Sequence, residues 1–530
     1  MQKSATQREF RILSSLTSSI AGTSRTLHSS KLNFWQGYEN ERHYEPGEEP
    51  LKRTWHGLSY DFRRWARRYQ EARKDAWQRR HPIQHMKPAV MDHELLPYRA
   101  EILIIGGGLT GSSVAYWIKQ RFRDEDFRVV VLENNDKFQQ SSTMLSVGGI
   151  SPQHSLAENI EMSLFTAEFL RHAGEHLRIL DSDPPDIHFY PCGYLHLAYN
   201  EEHAEQMRNN WRLQIEKGAR VALLTRPQLE ERYPGVVFDG VVLGSIENEG
   251  VFDTWQLLSA LREKNITLGV QYVKAEVESF QFIADRILPE IHAFEEGSAA
   301  DELALQTRKV VGVHARPQMT DASARPIRCY MAINAAGPWA GEVAKKMGAG
   351  TGPGVLSVPV PIQARKRSVF VVHASEAPTE LPMMVLPSGV WLRQDRPGHT
   401  FLVGKHMTNE EDELIDHSNL EVDYNIFYDK IWPELVKLIP SFKEAVIKSA
   451  WAGYESVNTF DGVPVIGEHP LHKNVYMVGG LGHRNAQHAL AVGRAFAERL
   501  FDGAYVNINL RGWDMRRVVK NEPLRESMWP

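Results

Sequence analysis

Gly106, Gly108 and Gly111 stand in a GGGLTG run directly behind the apolar stretch 102–105, and Val114, Trp117 and Ile118 follow at helical spacing. That order, strand then G-x-G-x-x-G then helix, is shaped for a pyrophosphate. Gly106 lets the chain turn, Gly108 lets the backbone approach phosphate oxygens, and Gly111 lets the helix pack closely on the strand. The helix aims its free N–H groups and positive dipole end at the bound anion. A second apolar run, 128–132, ends at Glu133, twenty-two residues after Gly111. A carboxylate at that distance can accept both hydroxyls of an adenosine ribose. These residue types and spacings predict dinucleotide binding.

Two later stretches repeat the strand–small-residue–helix pattern. Residues 328–347 read as a strand ending at Asn334, then Ala335, Ala336 and Gly337, then a helix near Trp339. Residues 475–478 form another apolar strand before a glycine turn at 479–482, and Ala489, Gly493, Phe496 and Leu500 mark one face of a closing helix. A helix N-terminus behind such a turn can donate N–H groups to a ring that gains negative charge on reduction. Only one G-x-G-x-x-G occurs and the cysteines are not paired, so a single dinucleotide fits the chain. Three turns spread from residue 106 to residue 482 suit a long cofactor held by both halves of the sequence, which favours FAD over NAD.

Composition narrows the field. A net charge of −5 over 530 residues argues against nucleic acid as a partner. Cys192 and Cys329 are far apart, which argues against a disulfide scaffold, a zinc site and a dithiol redox centre. The pairs His483/His488 and His469/His472 lack companion ligands at metal spacing, so no metal centre is expected. No apolar run approaches the ~20 residues of a membrane-spanning helix. The length predicts two domains.

The elements that would position the turns come in order. Residues 1–30 hold Lys3, Arg8, Arg11 and Arg25 against one acid, Glu9, and twelve Ser or Thr, the composition of a mitochondrial transit peptide. Residues 31–98 read as an N-terminal extension with an acidic loop at 39–50. Within it, 59–80 places Phe62, Trp65, Tyr69, Ala72 and Ala76 on one helical face, with Arg63, Arg64, Arg67, Arg68, Arg79 and Arg80 around it. Such a helix docks on an anionic membrane, on a partner, or on its own domain. A linker near 81–88 follows. Residues 139–150 are small and polar, a loop able to wrap a cofactor. Helical periodicity at 158–180, 201–218 and 254–264, with strands near 190–198 and 270–277, predicts an α/β architecture with an inserted sheet. Residues 284–326 suggest a loose hairpin, 355–373 and 385–404 strands, 420–442 a helix, and 449–467 a strand, loop and strand.

The order GGGLTG, Glu133, INAAGPWA, WAGYE with Asp461 and Pro464, then a Gly-rich turn before VGRA, resembles the D-amino-acid oxidase/glycine oxidase/sarcosine dehydrogenase superfamily of FAD proteins. SSTMLSVGGI, NEGVFDTWQLL, KRSVFVV, NLEVDYN and SAWAGYES are similar to a mitochondrial branch of it that assists assembly of respiratory complex I. The resemblance covers about 100–505. It implies a discontinuous Rossmann-like FAD-binding domain (99–180, 240–350 and 446–505). A second domain (181–239 and 355–445) would rest on a mixed, largely antiparallel sheet facing the flavin, and 506–530 would be a tail. It further implies that Gly106, Gly108, Gly111 and Glu133 hold the ADP half, and that Ser142, Thr143 and Val147 to Gly149, with Gly148 between, line pyrophosphate and flavin. Val277 would meet adenine through backbone, Gly337 and Trp339 would close over the cofactor, and Gly480 and Gly482 would form the terminal turn. The implied partners are complex I subunits or assembly intermediates, with a peripheral inner-membrane contact on the matrix side.

One departure bears on chemistry. The superfamily turn usually reads G-F-S-G-H-G, whereas this chain has Gly480-Leu-Gly-His-Arg-Asn485. A Cβ at His483 and another at Asn485 are expected to displace backbone donors from the flavin and slow turnover, unless His483 or Arg484 supplies a replacement charge. Two functional classes follow. One is an FAD-bound assembly factor. The other is an oxidase or dehydrogenase of an N-methyl or α-amino acid, with Lys366, Arg367 or Arg393 as carboxylate clamp.

Overall fold

The computed structural model describes residues 96–528, apart from 124–125, 248, 286–306, 320–321 and 396–397, together with scattered positions between 51 and 73. The expected leader at 1–30, the acidic loop at 39–50 and the linker near 81–88 lie outside the described residues, as does the tip of the expected 284–326 hairpin. Two units divide the chain, Met1–Lys87 and Pro88–Pro530. In the first, described positions at 51–58 and 62–73 are helical. Trp65 lies 6.1 Å from Phe62 and stacks on Tyr69 at 5.8 Å between ring centroids. Leu51, Trp55 and Leu58 extend the same stripe toward the N-terminus, and all six side chains are exposed, from 54 % for Tyr69 to 84 % for Leu51.

In the second unit, one eight-stranded sheet has the order β14-β16-β8-β1-β2-β6-β7-β15. Its strands are β1 (Arg99–Ile105), β2 (Val129–Glu133), β6 (Gln271–Ala284), β7 (Arg308–Pro317), β8 (Arg325–Asn334), β14 (Val465–Glu468), β15 (His472–Lys473) and β16 (Val475–Gly479). Neighbours from β16 through β6 run parallel. Buried on both faces, β1 from Ile102 to Ile105 and β2 from Val129 to Leu132 are continuous aliphatic runs. Helix α1 (Leu109–Arg121) follows β1; α2 (Ser142–Leu145), α3 (Ala157–Arg171), α4 (Glu201–Glu216), α5 (Thr254–Thr267) and α6 (Asn485–Phe501) complete the helices that matter here. The closing helix α6 packs on α1 where Gly493 meets Ser113; a Cβ at Gly493 would stand 2.2 Å from the serine Oγ.

A second eight-stranded sheet has the order β13-β9-β12-β11-β10-β3-β5-β4. Its strands are β3 (Tyr194–Ala198), β4 (Ala222–Leu224), β5 (Leu243–Glu247), β9 (Ile362–His373), β10 (Met383–Val385), β11 (Val390–Gln394), β12 (Thr400–Lys405) and β13 (Val446–Asn458). Every pairing is antiparallel except β10 with β3. The architecture is therefore the expected one, a Rossmann-like sheet beside a mixed, largely antiparallel one. Because β5 and β13 belong to the second sheet, that sheet extends past the boundaries expected at 239/240 and 445/446.

Local differences have local causes. The stretch 139–150 is not wholly irregular: Ser141 accepts from Met144 N–H at 3.4 Å and caps the short helix α2. The strand expected from 355 starts only at Ile362, because Pro359 and Pro361 lack ladder donors, and 354–357 forms a 3-10 turn instead. Either side of 286–306, β6 and β7 form a long antiparallel pair rather than a loose hairpin.

Candidate functional site

A cleft of about 450 Å³ opens at the carboxyl ends of β1, β2, β8 and β16, where open α/β sheets bind ligands. Gly106 makes the turn with φ of +103°, and a Cβ there would stand 2.3 Å from the Ala335 carbonyl oxygen. A Cβ at Gly111 would stand 1.9 Å from Gly106 O, so this glycine serves helix–strand contact and does not line the cleft. Gly108 is the N-cap of α1 and offers no side-chain cap, which leaves the helix end available to an anion. Thr143 Oγ1 accepts from Leu109 N–H at 3.3 Å, and Ser142 Oγ donates to Tyr454 O at 2.8 Å.

Glu133 sits at the tip of β2 on the cleft wall. Its carboxylate accepts from Gly107 N–H at 2.7 Å and Asn135 N–H at 2.8 Å. Burial pushes its pKa up, and those two hydrogen bonds oppose the shift. Val277, Gly337, Trp339 and Gly480 also line the cleft. The carbonyl of Val277 already accepts from Lys346 Nζ at 2.6 Å. The uncapped helix, the glycine at its start and the fixed carboxylate one strand away fit the ADP half of a dinucleotide.

A second cavity of about 90 Å³ shares Ser142 and Asn485 with the cleft, and Gly149 and Gly482 reach this one only. Gly148 lines neither. With φ of +73°, it packs where a Cβ would come within 1.8 Å of Phe252 O. Arg367 and His483 do face the small cavity, but Lys366 does not. Successive strand residues point to opposite faces, and Lys366 is buried away from the cavity with Nζ 3.2 Å from Asn419 Oδ1. Arg393 is likewise no free clamp, since its guanidinium donates to the Val147 carbonyl. Arg367 is held by Glu455, Nε to Oε2 at 2.7 Å, and by Asp412. Lys405 pairs with Glu411 at 2.6 Å.

Gly480 and Gly482 take φ of +77° and +58°, and Gly480 N–H donates to Ser456 Oγ at 3.1 Å. The ring of His483 lies against that of His406, 4.6 Å between centroids. Asn485 opens α6, and its Oδ1 accepts from Thr110 Oγ1 at 2.9 Å.

Between them, Arg484 is buried at 7 % exposure, and among the described residues its side chain makes no hydrogen bond and no ion pair within 4 Å. Burial pulls its pKa down while Glu526, Glu455 and Tyr194 act on it from farther away. It stands near Tyr194, His406 and His483, three residues of the small cavity's wall. Burial first, then Arg367 and Arg484, push His406 down to about 3. Burial and Arg484 hold His483 well below its ordinary value. Both imidazoles are thus neutral at physiological pH.

His406, Glu455 and His483 bring one potential ligand atom each within 4.8 Å of one another. This cluster was invisible as sequence spacing, since its members come from the end of β12, from β13 and from the turn before α6.

The cleft and the two sheets define a dinucleotide-binding protein, and comparison makes the class definite. The chain belongs to the family described as FAD dependent oxidoreductase (DAO), which it matches over residues 101–499, and FAD is its cofactor. It is 39 % identical over 452 residues to the FAD-dependent oxidoreductase domain-containing protein 1 of Xenopus laevis, covering 84 % of this chain and 88 % of that one. The Drosophila melanogaster homolog is 35 % identical over 432 residues, 80 % of each chain. Among solved structures, L-proline dehydrogenase from P. horikoshii superposes with a TM-score of 0.64 at 21 % identity, over 81 % of this chain and all of that one. Glycine oxidase from Geobacillus kaustophilus gives 0.60 at 17 % identity, over 79 % and 98 %. These two likenesses concern the fold.

Proposed function

We propose that this protein oxidises a small amino or imino acid through FAD, with the substrate's carboxylate drawn to the small cavity by Arg484. The observation that carries this reading is a buried guanidinium with no counter-charge at bonding distance. An isolated buried charge is costly, so it is maintained where an anion completes it. A cavity of about 90 Å³ suits a substrate of few heavy atoms. Arg367 and Lys405 are already neutralised by Glu455, Asp412 and Glu411, which leaves Arg484, behind the wall that Tyr194, His406 and His483 form, as the charge that favours an anion in the cavity. The neutral imidazoles of His406 and His483 can accept hydrogen bonds from the amine end. Bound FAD would take a hydride from the carbon next to nitrogen; the chain orients that carbon and keeps water out. The solved L-proline dehydrogenase and glycine oxidase, whose names specify small carboxylates, support the substrate class. Anaerobic addition of glycine, sarcosine, L-proline and dimethylglycine to the flavoprotein tests it. Bleaching of the flavin band by at least one supports the reading, and no bleaching by any of them sinks it.

A second reading rests on the exposed stripe Leu51, Trp55, Leu58, Phe62, Trp65 and Tyr69. With the Arg residues around it in sequence, it suits a docking role at the matrix face of the mitochondrial inner membrane, among complex I subunits or assembly intermediates. Reversing Arg63, Arg64, Arg67 and Arg68 to Glu tests this. Loss of pelleting with membranes and of complex I assembly supports it; unchanged pelleting and assembly contradict it.

A further inference from the structure

We propose that His406, Glu455 and His483 form a binding site for a divalent transition-metal ion of the zinc class at the wall of the small cavity. Two imidazoles and a carboxylate are a common protein set for such ions, with the remaining position left to water or a ligand. Their ligand atoms lie within 4.8 Å of one another, and Glu455 Oε1 is 3.9 Å from His483 Nδ1. Tetrahedral coordination at metal–ligand distances of about 2.1 Å sets ligand atoms about 3.4 Å apart. Closing the difference takes a contraction of up to about 1.4 Å, which rotation of the two imidazoles can supply.

Glu455 is prepared for the role. Its Oε2 is engaged by Arg367 at 2.7 Å, while Oε1 faces His483. The arginine therefore acts as the outer partner that fixes a ligating carboxylate. Asp412 offsets the charge of Arg367, and Glu411 that of Lys405. Arg484 is the positive charge nearby with no bonded partner, and it holds the affinity below that of a closed structural site.

The three ligands belong to the chain itself, so the site does not depend on the oxidation reading. Its consequence does: an ion held there occupies the cavity that a small amino acid would enter, and zinc would compete with substrate. Hard ions are excluded by the imidazoles, so magnesium should not substitute.

The experiment is a zinc titration of the chelator-treated, FAD-loaded full chain, followed by calorimetry and by the flavin absorption band, with magnesium as control. The expected result is one tight equivalent that perturbs the flavin band. H406N and H483N should weaken that equivalent at least tenfold while keeping their flavin. Binding without any flavin perturbation, or unchanged binding in both variants, overturns the proposal. Should either variant lose its fold, X-ray absorption on the wild-type chain with one zinc decides the matter. A shell of nitrogen and oxygen with two imidazoles supports the site, and sulfur or a single imidazole refutes it. A chain that binds zinc this way yet is reduced by no amino acid would retain the metal site and lose the oxidation reading.

Discussion

Thr110, in the first turn of α1, donates its hydroxyl hydrogen to Asn485 Oδ1 at the start of α6, 2.9 Å away across 375 residues of sequence. The N-terminal ends of two helices are thereby brought to one cleft, and both dipoles favour the negative charge of a dinucleotide and a reduced ring. Replacing Asn485 by Ala should leave the fold intact and weaken FAD binding. A hydrogen bond of this kind contributes about 0.5–1.5 kcal/mol, a roughly two- to twelvefold rise in Kd. Flavin fluorescence on dilution measures it.

Two glycines of the same motif should fail differently. A Cβ at Gly106 would collide with backbone, 2.3 Å from Ala335 O, at φ of +103°. G106A should therefore cost several kcal/mol of stability, since neither the turn nor β8 can give way. At Gly108 a Cβ meets only Thr143 Oγ1 at 3.4 Å. G108V should fold, as circular dichroism would show, yet purify with little or no FAD.

Stability should fall as the solution is acidified. His469 Nδ1 accepts from the N–H groups of Leu471 at 3.3 Å and His472 at 3.2 Å, so the ring must stay neutral there. Burial and His472 hold its pKa down to about 3. A histidine with a depressed native pKa leaves the unfolded chain binding more protons between about 3 and 6.5. Its contribution is thus present above about 6.5 and is lost as pH falls, by about 1.4 kcal/mol per pH unit. H469N keeps an acceptor and removes the titration. Its urea-derived stability should decline less steeply than wild type between pH 6.5 and 5.

Much of this was legible in sequence because the strand–turn–helix units are local. Gly106, Gly108 and Glu133 are specified within about thirty residues, and they line the cleft together. Gly148 misled because a glycine required by backbone contact looks the same as one that admits a ligand. Lys366 and Arg367 could not be told apart until the register of β9 against β13 showed which face each takes. The approach of His406, Glu455 and His483 is a product of how the two sheets meet, and no spacing in the chain encodes it.

The balance of function against stability should be visible at Arg484. Replacing it by Met removes a buried charge without a bonded partner, and such a change is commonly neutral or stabilising. R484M should keep its FAD and melt at or above the wild-type temperature. It should also lose the capacity of its flavin to be reduced by carboxylate substrates.

The most direct measurement is therefore anaerobic flavin reduction in wild type and R484M, with matched amines that carry or lack a carboxylate. The prediction is rapid bleaching of the wild type by a carboxylate-bearing amine such as L-proline or sarcosine, and little by pyrrolidine or dimethylamine. R484M should be slower by at least 10², in line with the loss of a charge-assisted contact worth about 3 kcal/mol. Equal rates for the two amine classes, or an R484M protein as fast as wild type, would contradict the assignment of the cavity to a small amino or imino acid.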